Sequence, residues 1–69
     1  METKTMTASE WRKEANHLKL RAYMIEISVA AGLVADPLTE QRKATELHFQ
    51  RLHILLRVTG LLDERLVTI

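Results

Sequence analysis

Between Thr7 and Thr59 the apolar residues recur at helical spacing, and the pattern breaks once, in the stretch Ala30 to Thr39 that reads AAGLVADPLT. Before the break, Trp11, Ala15, Leu18, Ala22, Ile25 and Val29 follow one another at alternating steps of four and three. That spacing keeps them on one face of an α-helix, as a heptad-like stripe. A start signal precedes the stripe. Thr7-Ala8-Ser9-Glu10 matches a capping box, in which the threonine hydroxyl accepts from the amide three residues on and the glutamate reaches back to the cap amide. A first helix is therefore predicted over 7–31, cap included. Residues 1–6 are polar and aperiodic, and are expected to be disordered.

A second apolar row, Leu20, Met24, Ile27 and Ala31, runs along nearly the opposite side of the same helix, with Tyr23 and Ala30 at its flank. One partner helix cannot cover both rows, and aligned apolar positions make a patch rather than a scatter. The first half of the helix instead carries Arg12, Lys13, Glu14, Asn16, His17, Lys19 and Arg21 around a single stripe. It is expected to be amphipathic near its start and sandwiched near the break.

The break itself is a hinge, 32–36. Gly32 suits the left-handed position that ends a helix, and Leu33 stands where a Schellman ending places an apolar residue, here folding back on Ile27 or Ser28. Asp36 can cap the next helix through its side chain, and Pro37 fits the first helical position because its missing N–H had no helical partner. So short a connection reverses the chain, which predicts antiparallel neighbours.

The second helix is predicted over 37–59. Arg42, Lys43, Glu46, Gln50, His53 and Arg57 share a polar arc. Ala44, Leu47, Leu52, Ile54, Leu55 and Val58 fill a wide apolar arc, with Phe49 and Leu56 at its edge. Both helices come to roughly 30–36 Å, so the arms match. Gly60-Leu61 repeats the glycine-leucine ending, with Leu61 placed to return to Leu56, and 60–69 is expected to form a short helical turn and a loose tail. The predicted fold is all-α: a single small domain, an antiparallel two-helix hairpin with a short C-terminal turn or tail, self-associating into a four-helix bundle. Its expected core is Trp11, Leu18, Ala22, Ile25, Val29, Leu47, Leu52, Leu55 and Val58.

Composition narrows the reading. Sixty-nine residues supply a single core worth about 3–5 kcal/mol, which favours a partner. Without cysteine, neither disulfides nor thiolate metal sites can staple the fold. Ten basic against nine acidic side chains leave a net charge of +1, too even to advertise a polyanion partner. The longest uncharged run, Ile27 to Ala35, is far short of a membrane span, and no basic leader precedes an apolar segment. These features predict a soluble cytoplasmic protein with no membrane association.

Chemistry is sparse. Glu14 and His17 have the Glu-x-x-His spacing of carboxylate-bridged metal bundles, but they fall beside the polar face rather than on the core stripe, so no metal or other cofactor is expected. His48 and His53 point about 140° apart, which is wrong for shared ligation. His48 reads as an interface or core histidine with one hydrogen-bond partner, and His53 as solvated. Arg51 sits within the apolar arc, and Glu26 is the lone charge between Ala22 and Ala35. Each is expected to meet an opposite charge or the edge of an interface, since a buried charge persists when paired. No glycine-rich phosphate loop or nucleophile elbow is present, and Ser9 and Ser28 lack spaced histidine and acid partners. No catalytic residue is assigned and no enzyme is expected.

The function expected from these features is a non-enzymatic protein-interaction module, a small dimeric helical adaptor, regulator or assembly subunit. The partner or dimer interface is assigned to Leu20, Tyr23, Met24, Glu26, Ile27, His48, Phe49, Arg51 and Leu56. The occupant is a second copy, as a homodimer or higher homo-oligomer, together with a protein partner. The alternative is a nucleic-acid-binding regulator using basic helix faces, with Arg42, Lys43, Arg51 and Arg57 on the second helix and Arg12, Lys13, Lys19 and Arg21 on the first, of which Arg42, Lys43 and Arg57 would neutralise phosphates. It is less favoured because Glu10, Glu14, Glu40 and Glu46 interrupt the basic residues.

Overall fold

A computed structural model describes residues 3–69. Its elements run β1 (Thr5–Thr7), α1 (Ala8–Ala30), α2 (Pro37–Val58) and β2 (Leu66–Thr68). The helices pack against each other as a hairpin, and the two strands pair antiparallel at the open end, Thr5 opposite Thr68 and Thr7 opposite Leu66.

The helix boundaries obey local chemistry. At the start of α1 the Glu10 amide donates to the Thr7 hydroxyl at 3.2 Å, and the Thr7 amide donates to the Glu10 carboxylate at 3.3 Å, which completes the capping box. At its end Gly32 adopts φ 71°, the Gly32 amide donates to the Val29 carbonyl, and the Leu33 amide donates to the Ser28 carbonyl. That is the Schellman pair of bonds. The apolar half of the motif is not made, because the Leu33 side chain remains 77% exposed instead of folding back. Asp36 caps α2, accepting from the Thr39 hydroxyl at 2.6 Å and the Thr39 amide at 3.3 Å, with Pro37 opening the helix. These bonds stabilise the ionised carboxylate and hold Asp36 below the ordinary aspartate value.

Gly60 breaks α2 as its sequence predicts, at φ 76°. Beyond Gly60 the chain departs from the expectation. The tail makes one hydrogen-bonded turn, Leu62 to Arg65, and then a strand in place of a loose end, and Thr5 to Thr7 is its partner, not a disordered segment. Of the rest of the expected disordered stretch, Lys4 bonds to Ile69, and Met1 and Glu2 lie outside the described residues. The physical reason is that the start of α1 has free backbone donors. The Ala8 amide donates to the Arg65 carbonyl and the Ser9 amide to the Asp63 carbonyl, so the tail satisfies two of them while adding a ladder rung between Lys4 and Ile69. Leu61 accordingly packs against the core, while Leu56 stays exposed.

The core lies between the helices and under the ribbon: Ala8, Trp11, Ala15, Leu18, Ala22, Ala44, Leu47, Ile54, Val58 and Val67. Ile25 and Leu55 are partly buried against it, and Val29 is half-buried. Leu52 does not belong to it. The buried row of α2 is Ala44, Leu47, Ile54 and Val58, with half-buried Arg51 between Leu47 and Ile54, and Leu52 stands about 100° round the helix from Arg51. Four of the buried positions are alanines, so the helices meet over small side chains and the core is thin.

Candidate interaction face

Each helix carries a second apolar row outside this core. On α1, Leu20, Tyr23, Met24 and Ile27 have helical spacing i, i+3, i+4 and i+7, and all are exposed. On α2, Phe49, Leu52 and Leu56 continue at steps of three and four, and they too are exposed. The exposures reach 69% at Met24 and 76% at Leu56.

A polar contact shows how the rows are oriented. His48 Nε2 lies 2.7 Å from Glu26 Oε1, joining the two helices on one flank of the hairpin. Glu26 thus meets a histidine and not Arg51, and His48 has the single partner its sequence position suggested. Projecting each helix at about 100° per residue places Tyr23 beside Glu26 and Leu52 beside His48 on that flank, while Ile27, Leu20 and Leu56 turn progressively toward the outer sides of the helices. Around the Glu26–His48 pair, toward the hinge, exposed apolar side chains therefore border one hydrogen-bonded polar seam between the helices.

Three assigned residues lie elsewhere. Met24 projects past the back of α1. Phe49 leans to the opposite flank, where with Trp11, Leu18, Ile54 and Ile69 it lines an open groove of about 480 Å³. Arg51 lies nearer the strands, half-buried in a hollow with Arg12, Lys13 and Lys19. Leu52 belongs to the face and not to the core in which its spacing had placed it. The signal that finds it is the three-four spacing of Phe49, Leu52 and Leu56, which is separate from the buried row.

The remaining candidates resolve individually. Glu14 lines the open groove with His53, while His17 is exposed, and the described residues contain no group of three or more metal-capable side chains. Of the cations assigned to nucleic acid, Lys43 bridges to Glu40 at 3.0 Å and Arg57 donates to the Thr68 carbonyl at 3.2 Å. No described helix is long and apolar enough to cross a membrane.

Arg12 has a role its sequence position did not reveal. It pairs with Asp63 and also donates to the carbonyls of Val58, at 3.1 Å, and Leu61, at 2.7 Å. A cation thereby sits on the carbonyl end of α2, where the helix dipole favours it. No family model, curated protein or solved structure matches the chain.

Proposed function

We propose that the chain is a non-enzymatic protein-interaction module that acts as a homodimer, two hairpins stacked through the Glu26–His48 flank into a four-helix bundle. The observation that carries this reading is the apolar face of Leu20, Tyr23, Ile27, Leu52 and Leu56, exposed on a molecule with one layer of helices. The shortest extent is 14 Å, close to the width of a single helix with its side chains, and the radius of gyration is 14.2 Å against about 11 Å for a compact chain of this length. Stable domains bury such faces between two layers.

Area points to a second copy as the occupant. The accessible surface is 5352 Å², about 900 Å² above what is typical of a monomer of this mass. A standard interface takes about 800 Å² from each partner. A two-fold axis through the flank sets each face against itself, as an isologous dimer requires.

Light scattering at micromolar concentration tests the reading, comparing the native chain with the double variant Leu20→Glu, Ile27→Glu. The native mass should be at least twice 8.0 kDa, and the variant should become monomeric and lose most of its helical circular dichroism on dilution. A folded native monomer overturns the dimer. A helical dimer in the variant overturns this face as its interface.

A further inference from the structure

On the flank that carries the Glu26–His48 bond, nearer the strands, Arg12, Lys13, Lys19 and Arg51 surround a hollow of about 340 Å³ floored by Ala15 and Leu55. Ser9 and Asn16 complete its lining, so no acid lines it among the described residues. Arg12 is already committed to Asp63 and two carbonyls. Lys13, Lys19 and Arg51 make no hydrogen bond or ion pair among the described residues, whereas Lys43 and Arg57 elsewhere on α2 each have a partner.

Arg51 is the informative member. It is half-buried between Leu47 and Ile54 on the inward side of α2 and has no counter-charge among the described residues. Three cations without a counter-charge line one hollow, and an anion held there relieves their mutual repulsion. The charge to be matched exceeds what one carboxylate supplies. A guanidinium offers a planar fork for paired oxygens, lysines add point charges, and the Asn16 amide adds a neutral donor. The α1 amides do not contribute, because those of Ala8, Ser9 and Glu10 are already bonded to Arg65, Asp63 and Thr7.

We propose that this hollow binds a diphosphate group of a small phosphorylated ligand. A nucleic-acid backbone fits less well. It would need a continuing line of free cations and aromatic platforms for its bases, whereas Lys43 and Arg57 are engaged and neither Tyr23 nor Phe49 lines the hollow. All of its lining residues belong to one chain.

Inorganic pyrophosphate is the probe, titrated calorimetrically into the native chain and three variants in low salt. Arg51→Met keeps the apolar stem and removes the fork, Lys19→Met removes a second cation, and Arg42→Met removes the same charge outside the hollow. Saturable binding should weaken at least about tenfold in each of the first two, as loss of a charge-assisted bond implies, and less than about twofold in the third. Circular dichroism checks that each variant keeps its fold, and the two hollow variants give independent readings should one unfold. Absence of saturable heat with the native chain overturns the proposal. So does an equal loss in Arg42→Met, which indicates diffuse charge, or binding of a single-stranded oligonucleotide that exceeds pyrophosphate and grows with length.

Discussion

Trp11 donates its indole N–H to the main-chain carbonyl of Val67 at 2.8 Å, across 56 positions of sequence. Both residues are buried, so one side chain fills the core beneath the ribbon and fixes where β2 lies. Trp11→Phe removes the bond and keeps most of the packing, and should cost about 1 kcal/mol. Trp11→Ala should cost about 3–5 kcal/mol, comparable with the whole stability of a core this size. Urea midpoints read by far-UV circular dichroism distinguish the two, and a native midpoint in the phenylalanine variant shows that the bond contributes nothing.

Arg12→Ala removes the donor to the Leu61 carbonyl and the Asp63 carboxylate, and leaves the Val58 carbonyl with the Leu61 amide alone. The expected loss is about 1.5–3 kcal/mol. Arg12→Lys should recover little, because a single ammonium cannot span three acceptors as the fork does. Equal midpoints for the lysine variant and the native chain contradict this role.

Gly32 and Gly60 both hold positive φ, and an added Cβ at either meets nothing within 4 Å. Replacement by alanine should therefore cost the backbone penalty alone, about 1–2 kcal/mol, and nearly the same at both sites. D-alanine, for which this conformation is unstrained, should restore stability in a synthetic chain. Failure of that rescue places the cost elsewhere.

The Asp36 cap carries a pH signature. Its folded-state pKa is lowered by the Thr39 and Leu38 hydrogen bonds, so its stabilisation is complete above the unfolded value of about 3.9 and is lost as pH falls through the lower folded value. Asp36→Asn keeps a capping oxygen without the charge. The native chain should be the more stable near neutrality, and the gap in urea midpoints should close below about pH 4. Parallel profiles down to strong acid remove the carboxylate from the pH response.

The helices, the hinge and their caps were legible because their determinants are local. Thr7 and Glu10, Asp36 and Pro37, and Gly32 each act within one turn. The ribbon was not legible, since three-residue strands have no measurable period and each depends on a partner at the far end of the chain. The core of α2 was misread at one place for a related reason. Half-buried Arg51 lies in line with the buried row while Leu52 faces outward, an arrangement that hydrophobicity alone ranks in reverse. Among the exposed apolar positions, Leu20, Tyr23 and Ile27 emerged from spacing, but the Glu26–His48 contact required the register between helices, which no local pattern encodes.

The rung between Lys4 and Ile69 places the points at which an external force would enter the molecule directly opposite each other. Pulling there loads the ladder one bond at a time, as a zipper opens, rather than shearing all the rungs together. Tension along the chain therefore peels β1 from β2 and strips the Ala8 and Ser9 amides of their acceptors before it reaches the helix contact. Under such a load the β1–β2 ribbon opens before the two helices part.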